Sequence, residues 1–420
     1  MKILHFADAH IDISQIGPVE PELGIPARVR DFLNSLDEIV DTAIEERVDL
    51  VLFAGDAYKD RTPHPTYQRE WEKRILRLSQ ANIPTLLLTG NHDMPKAMNK
   101  AHALTEFETL KVPNVRVVSR PSLLGSKDLG LPVQVVGLPW LYVEKTTAYR
   151  KTSTEGIKDA QTALEDQALD LINNFLERRD PSLPTILLAH ASIRGAKVGD
   201  EKDLMLGGEF QLSSGFVKDP RFDYVALGHI HYAQNLNGPG PKDTTSKPQH
   251  PPVIYSGSIE RVNFGEADDD KYFVIADVSI GKTDVQWRKL QRIRPFVKKV
   301  IRVHADVDPM RQILVELPAA DQVKGAVVHI VLEHPESVRA GINEDVIRSH
   351  FESAFDFRLS RKVVRETRSR LPIDENTAKL SDMELLDRFL DTVKDNGYDR
   401  EILHQFAKEV FDETNSGEAA

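Results

Sequence analysis

Polar clusters rich in Asp and His follow a series of apolar runs, and this placement constrains the fold most strongly. One run, residues 83–89, leads into the tetrapeptide GNHD at Gly90–Asp93. Similar runs alternate with amphipathic helical patterns through about the first 280 residues. This alternation is typical of a layered α/β domain. We therefore expect an α/β fold in which each polar cluster lies where a buried strand ends.

The predicted elements of this region place several polar side chains at strand ends. The predicted strands are residues 3–7, 50–54, 83–89, 115–118, 133–137, 185–189, 222–228, 253–256 and 272–278, and the predicted helices are 32–44, 66–82 and 159–176. Ligand sites of open α/β folds form beyond the carboxyl ends of strands. We expect seven side chains to converge there: Asp8, His10, Asp56, Asn91, His190, His229 and His231.

The chemistry of these seven side chains indicates a site for two metal ions. Seven nitrogen or oxygen ligands are too many for one tetrahedral ion, but they suit two ions that share a carboxylate. The chain has no cysteine, which excludes thiolate ligands and favours divalent ions such as manganese. Two such ions can activate water and stabilise both oxygens of an in-line phosphoryl displacement.

Composition places the chain among soluble globular proteins. Its 420 residues suggest two or three domains, and 40% are hydrophobic and 28% charged. No apolar run approaches the roughly 20 residues of a membrane-spanning helix, and the start of the chain does not resemble a signal peptide. The absence of cysteine fits a reducing compartment. We expect a cytoplasmic, nucleoid-associated protein that does not bind membranes.

The charge is unevenly distributed, which keeps a nucleic-acid partner open despite a net charge of −11. Residues 371–420 contain 13 acidic and 5 basic side chains, so the rest of the chain carries only −3. Two basic windows lie in that remainder. A solvated charged face is one interpretation of each window, and a contact surface for the phosphate backbone of DNA is the other. The windows include Arg294, Lys298 and Lys299 in the first and Arg361, Lys362 and Arg365 in the second.

Beyond residue 290 the pattern changes, and we expect further domains. The first domain is predicted to span 1–285 and a small α+β domain 290–372. The latter has predicted strands at 297–303, 326–332 and 358–365 and predicted helices at 309–317 and 344–355. A capping box at Ser381–Glu384 begins a pair of amphipathic helices within 380–413. Residues 414–420 are small and polar, and we expect a disordered tail.

Five motifs resemble those of the calcineurin-like metallophosphoesterase superfamily: DAH from Asp8, GD at Gly55-Asp56, GNHD from Gly90, His190, and GHIH from Gly228. The resemblance implies a layered α-β-β-α fold. It also assigns Asp8, His10 and His231 to one metal ion and Asn91, His190 and His229 to the other. Asp56 would bridge the two ions. His92 would stabilise developing charge or protonate the leaving oxygen as a catalytic acid.

Within this superfamily the chain is most similar to SbcD-type DNA-repair nucleases. The opening KILHFADAHID, GLPW at 137–140, HASI at 190–193, GHIHYAQ at 228–234 and YSGSIERVNFGE at 255–266 carry the likeness. It implies substrate contacts at Ser258 and Arg261 and a capping domain that binds DNA. One departure is Lys59, where some relatives have His after the GD motif.

The resemblance also implies partners and cofactors. The C-terminal helices would bind an SbcC-like coiled-coil ABC-type ATPase, and the nuclease domain would form a homodimer. The cofactors would be two divalent ions, Mn²⁺ with Mg²⁺ as the alternative. The implied activity is hydrolysis of DNA phosphodiesters in double-strand-break repair, as an exonuclease on duplex ends and an endonuclease on single strands and hairpins.

Two other functions remain open from the sequence. A phosphatase or small-molecule phosphodiesterase could use the same metal core without the basic windows. An architectural protein that binds DNA ends could retain the ligands without turnover. Five further histidines are read as ordinary core or loop residues: His5, His64, His102, His250 and His404.

Overall fold

The apolar runs of the first part of the chain form two six-stranded β-sheets. The computed structural model describes residues 1–13, 16–20, 24–94, 101–141, 154–199, 211–243, 245–364, 380–392 and 402–408. The strands are β1 (Lys2–Phe6), β2 (Leu50–Phe53), β3 (Thr85–Leu88), β4 (Val115–Val118), β5 (Ser122–Leu124), β6 (Gln134–Leu138), β7 (Thr185–His190), β8 (Ser192–Ile193), β9 (Gln211–Leu212), β10 (Tyr224–Gly228), β11 (Gln234–Asn235), β12 (Val253–Tyr255), β13 (Tyr272–Ser279), β14 (Lys282–Lys289), β15 (Phe296–Arg302), β16 (Val327–His334) and β17 (Asp356–Val363). The helices are α1 (Ala27–Glu45), α2 (Pro65–Gln80), α3 (Thr105–Leu110), α4 (Ser126–Leu129), α5 (Thr154–Arg178), α6 (Ser214–Val217), α7 (Pro309–Glu316), α8 (Ala320–Val323), α9 (Glu344–His350) and α10 (Asp382–Thr392).

Parallel strands at the centre of both sheets align their carboxyl ends. The first sheet has the order β14-β13-β1-β2-β3-β4, and β1 to β4 run parallel. The second has the order β11-β12-β10-β7-β6-β5, in which β6, β7, β10 and β12 run parallel. In its register Gly228 lies opposite His190. The polar cluster that follows each strand therefore emerges at the same edge of its sheet.

Alternate side chains of the strands pack into different layers. Ile3 of β1 lies in the core between the two sheets with Leu188 of β7. Its neighbour Leu4 faces the other way and packs with Phe32 of α1. Ala168 of α5 belongs to the core on the outer face of the second sheet. The predicted α-β-β-α layering is confirmed, because each sheet buries one face against its partner and the other against helices.

Two glycines allow the carboxyl ends of the two sheets to meet. A Cβ atom added at Gly228 would lie 2.1 Å from the carbonyl oxygen of Ala54. One added at Gly55, whose φ is 99°, would lie 2.4 Å from Nδ1 of His190. Both distances are far shorter than a carbon atom can accept. Glycine at these positions brings the loops after β2, β7 and β10 into contact.

His5 is buried between the two sheets, and its titration should make stability depend on pH. Its Nδ1 lies 3.0 Å from the Tyr224 hydroxyl, and burial lowers its pKa from 6.5 to about 3. The unfolded chain therefore binds the extra proton between these values. The stabilisation is complete above pH 6.5 and is lost as pH falls toward about 3, by about 1.4 kcal/mol per pH unit.

We expect His5→Gln to flatten the dependence of the unfolding free energy on pH between 6.5 and 4. Glutamine keeps a hydrogen-bonding group beside Tyr224 and does not titrate. Urea denaturation at several pH values measures the slope, and the exposed His304→Gln is the matched control. A slope in His5→Gln equal to that of the parent would contradict the assignment.

The chain divides into two compact units. The first comprises Met1–Val300, Glu316–Val331 and Glu344–Ser360, and the second Ile301–Val315, Leu332–Asn343 and Arg361–Ala420. Strands β15, β16 and β17 form a three-stranded sheet in that order. The domain boundaries expected from the sequence stay predictions.

A helix begins in the C-terminal segment at Asp382, as the sequence predicts. Glu384 accepts hydrogen bonds at 2.7 Å from both the amide and the hydroxyl of Ser381, and its own amide donates to the Ser381 hydroxyl at 3.4 Å, which completes the predicted capping box. Residues 402–408 are also helical, whereas 414–420 lie outside the described residues. Among the described residues, no helix is long and apolar enough to cross a membrane.

Candidate metal centre

Asp8 and His10 occupy the sharp turn that follows β1. Their φ angles are 51° and 41°, in the left-handed region, which costs a residue other than glycine roughly 1–3 kcal/mol. Backbone bonds hold the turn against the loop after β2: the Asp8 amide donates to Gly55 at 3.0 Å and the Ala9 amide to Asp56 at 2.8 Å. The Asp8 carboxylate accepts a hydrogen bond at 3.0 Å from the His229 amide. Two sheets therefore contribute to the surroundings of one carboxylate.

Asp93 holds the turn that presents Asp56. One carboxylate oxygen of Asp93 accepts from the amides of Asp56 and Gly90 at 2.8 and 2.9 Å, and the other accepts from Ala57 at 2.9 Å. Burial, followed by the charge of Asp56, raises the pKa of Asp93 to about 7. The sequence predicts that Asp93 orients His92 or its loop. The structure shows that Asp93 bonds to the backbone of two site loops.

Asn91 lies between two histidines from the second sheet. Its Oδ1 atom is 3.0 Å from Nε2 of His190 and 3.1 Å from Nδ1 of His229. His190 donates from Nδ1 to the carbonyl of Ala54 at 2.7 Å, and its Nε2 is 3.4 Å from Asp56. That donation leaves Nε2 of His190 as the nitrogen that faces the cluster.

His231 completes the cluster beside His10. The Nε2 atoms of the two rings are 3.1 Å apart. One ligand atom from each of Asp8, His10 and His231 lies within 4.8 Å of the others, and the same holds for Asp8, Asp56 and His190. The structure thus brings together the seven side chains that the sequence predicts to converge, at the meeting point of the two sheets.

His92 borders this cluster and is anchored through its backbone and its ring. Its amide donates to Oδ1 of Asp56 at 2.8 Å, and its Nδ1 lies 2.7 Å from the carbonyl oxygen of Lys59. Because a carbonyl can only accept, Nδ1 carries the proton. The His92 ring centroid is 5.3 Å from that of His10.

The first 233 residues show to which protein family the chain belongs. A family model described as calcineurin-like phosphoesterase matches residues 1–233, more than half of the chain. The chain belongs to this family.

Three similar proteins have names that refer to DNA breaks or nuclease activity. The "DNA double-strand break repair protein Mre11" of Thermoplasma acidophilum is 26% identical over 309 residues, 73% of this chain and 68% of that protein. The SbcD component of the nuclease SbcCD of Escherichia coli strain K12 is 27% identical over 301 residues, 68% of this chain and 66% of that protein. The protein of the same name from Staphylococcus epidermidis is 27% identical over 285 residues, 66% of each. The chain therefore spans about two thirds of the length of these relatives.

The metallophosphoesterase family implies divalent metal ions, and the donor set of this chain fits them. At most one proton can lie between the Nε2 atoms of His10 and His231 at 3.1 Å. A cation there could accept a lone pair from each ring. Asn91 likewise turns an oxygen toward two ring nitrogens. Imidazole, amide and carboxylate groups without sulfur suit manganese and magnesium better than soft metals.

The ionisation of Asp56 is consistent with this fit. Burial alone favours the neutral form of Asp56, but the charges of His190 and His10 hold its pKa below the usual range. Burial opposes the charge on His190, yet the carboxylate of Asp56 raises its pKa to about 9. Asp56 is therefore held as an anion, which is the form that a metal ion requires.

Glu266 and Trp140 contact the site, although the sequence does not single them out. Glu266 lies 3.0 Å from Nδ1 of His231. The charges of Lys271 and His231 lower the pKa of Glu266 against the effect of its burial. The Trp140 ring lies 4.9 Å from the ring of His229. Both residues stand in stretches that carry the family resemblance, which is the only signal that could have drawn attention to them.

Ser258 and Arg261, the predicted substrate contacts, bond within the protein. Ser258 is fully buried and donates to the Glu260 carbonyl at 3.0 Å. The Arg261 guanidinium donates to the carbonyls of Glu266, Arg294 and Asp269 at 3.1, 2.7 and 2.9 Å. Their roles toward substrate stay predictions.

The side chains of the basic windows differ in their exposure and in the contacts they make within the protein. Arg294 donates to both carboxylate oxygens of Asp31, at 2.5 and 2.6 Å, and its guanidinium lies 3.6 Å from the centre of the Phe355 ring. Lys298 is exposed and Lys299 half-buried on β15. Arg361 and Lys362 are exposed on β17. Lys362 pairs with Glu333 at 3.0 Å. Arg365 lies outside the described residues.

Proposed function

We propose that the chain is a metal-dependent DNA nuclease that acts in double-strand-break repair. The observation that carries the proposal is the convergence of seven nitrogen and oxygen side chains at the meeting point of two sheets. The family supplies phosphoester hydrolysis, and the names of the relatives support DNA as the substrate.

The proposed ligands divide into two sets joined by Asp56. Asp8, His10 and His231 would hold one ion. Asn91, His190 and His229 would hold the other. We favour Mn²⁺, with Mg²⁺ as the alternative. Bound there, two divalent ions supply an activated water and neutralise charge on the phosphoryl oxygens.

The surrounding residues position these groups and move a proton. The His92 amide fixes one oxygen of Asp56 at 2.8 Å, so the carboxylate cannot rotate without losing that bond. The Lys59 carbonyl binds Nδ1 of His92, which leaves Nε2 as the atom that can serve the substrate. In the proposed reaction, His92 carries a proton on both ring nitrogens, and it donates the one on Nε2 to the departing oxygen.

One assay tests the function against both alternatives. The purified chain is incubated with Mn²⁺ or EDTA. The substrates are linear duplex, hairpin and circular single-stranded DNA, a cyclic nucleotide, and chromogenic phosphodiesters and phosphomonoesters. We expect DNA cleavage only with Mn²⁺. Turnover of monoesters or cyclic nucleotides with intact DNA would instead indicate a phosphatase or small-molecule phosphodiesterase. Tight binding of DNA without cleavage would indicate an architectural role.

We also propose that the basic windows contact the DNA backbone, and each window can be tested alone. Lys298→Glu/Lys299→Glu should weaken DNA binding and lower the slope of log affinity against log salt, because fewer counterions are released. Arg361→Glu/Lys362→Glu should do the same. The exposed Lys282→Glu is a control outside both windows. A salt slope unchanged in both double variants would remove these windows from the DNA surface.

The C-terminal helices are proposed to bind an SbcC-like ATPase. Ile402 and Phe406 are 52% and 62% exposed, although both are apolar. Phe406→Asp should abolish co-purification with the ATPase while leaving Mn²⁺-dependent hydrolysis of a chromogenic diester unchanged. Gln405→Asp, at an exposed neighbouring position, is the control. Retained association in Phe406→Asp would exclude this contact.

A homodimer through the nuclease domain is proposed on the family resemblance alone.

A further inference from the structure

A buried ion pair lies directly behind His231. Oε1 of Glu266 is 3.0 Å from Nδ1 of His231, and its other oxygen accepts from Nζ of Lys271. Glu266 and Lys271 are only 2% and 1% exposed. Removing two charges from water carries a large desolvation penalty, and apolar side chains can often fill such a space with no loss of stability. Stability alone therefore does not account for this pair.

The ammonium group of Lys271 has a partner for each of its three protons. It donates to Glu266, to the Ser258 hydroxyl at 2.8 Å and to the His231 carbonyl at 3.4 Å. Ser258 in turn donates to the Glu260 carbonyl at 3.0 Å. Lys271 thus contacts the backbone of His231 and, through Glu266, also its ring. The position of the ring is tied to that of the backbone.

This arrangement also selects the tautomer of His231. A carboxylate at Nδ1 can only accept, so Nδ1 carries the proton and Nε2 keeps its lone pair. Nε2 is the atom that lies 3.1 Å from His10. In His190 the proton on Nδ1 is held instead by a neutral backbone carbonyl, that of Ala54. Nδ1 of His10 is buried without a hydrogen-bond partner among the described residues. His231 therefore has an anionic anchor in Glu266, and such anchors increase the basicity of a metal-binding imidazole.

We propose that Glu266 and Lys271 form a positioning pair that orients His231 and strengthens binding of the ion held by Asp8, His10 and His231. The proposal rests on the proposed metal function. Ser258 supports this pair, because its hydroxyl accepts a hydrogen bond from Lys271 and so restricts the position of the ammonium group.

Metal titration tests the pair. The double variant Glu266→Leu/Lys271→Met removes both charges together, so no unpaired charge remains buried. Isothermal titration calorimetry should resolve the binding of two equivalents of Mn²⁺. The affinity for one equivalent should fall by about 10–100-fold, and the affinity for the other should stay unchanged. Ser258→Ala is a milder second variant that should weaken the same equivalent by less. The control is Glu260→Gln, a buried carboxylate 3.4 Å from Arg28, which should bind both equivalents like the parent. Parental affinity for both equivalents in the double variant and in Ser258→Ala would overturn the proposal.

A readout in metal-free protein separates this proposal from the function itself. Nitrogen-15 NMR of the histidine rings, assigned with His231→Gln, should show His231 protonated at Nδ1 in the parent. The double variant should lose that preference. An unchanged tautomer would overturn the positioning role, whatever the metal content. A parent chain that binds no Mn²⁺ would instead contradict the proposed function.

Discussion

Asp56→Asn should reduce Mn²⁺-dependent phosphodiesterase activity by about 1,000-fold or more. Asparagine keeps the shape of the side chain but lacks the negative charge that both proposed ions share. A loss of several kcal/mol of charge stabilisation corresponds to that factor, because each 1.4 kcal/mol is tenfold in rate. Initial rates on a chromogenic diester and on linear duplex DNA measure the effect.

The folded structure should tolerate this change. The backbone amides of Asp56 and Ala57 still donate to Asp93, and the amide oxygen of asparagine can still accept from His92. The melting temperature should therefore stay close to that of the control Asp60→Asn, an exposed carboxylate in the same loop. Full activity in a folded Asp56→Asn protein would exclude Asp56 as a shared ligand.

His92→Ala should lower activity by about 100- to 10,000-fold, the usual range for loss of a proton-transfer group. His92 is not among the seven proposed ligands, so Mn²⁺ affinity should remain close to that of the parent. The combination distinguishes a catalytic role from a metal-binding role. Rate measurements and Mn²⁺ titration on the same preparation test it.

The dependence on the leaving group gives the prediction for His92 a sharper form. DNA releases a basic alkoxide, whereas a nitrophenyl diester releases a group that needs no proton. Loss of an acid at Nε2 should therefore harm DNA cleavage more than nitrophenyl release. His102→Gln, a half-buried loop histidine, is the control. Equal losses on both substrates would assign His92 to charge stabilisation without proton transfer.

The strand ends could be predicted because local sequence determines them. Buried parallel strands appear as short apolar runs, and the residue after each run must then lie at the sheet edge. Asp8, Asp56, Asn91 and His190 could be placed in this way from the local pattern alone. Strand β14 lies outside the predicted strands because Lys282–Lys289 contain no apolar run and form an exposed edge hairpin with β13.

Contacts between distant segments could not be predicted in the same way. Glu266 and Lys271 are polar residues near a turn, and only the fold shows that they are buried behind His231. Arg294 stands in a basic window, but tertiary packing pairs it with Asp31, 263 residues away in the chain. Hydrophobic periodicity carries no information about such pairings.

Helix α9 ends at His350, earlier than its pattern predicts, and the next residue Phe351 stacks on Phe357 at 4.3 Å.

Anomalous diffraction from crystals grown with Mn²⁺ tests the central claim most directly. We expect two anomalous peaks. One should be bound by Asp8, His10 and His231, the other by Asn91, His190 and His229, and both should contact Asp56. Peaks elsewhere, or no peak at this cluster in crystals that contain Mn²⁺ at saturating concentration, would contradict a two-metal site at the meeting point of the two sheets.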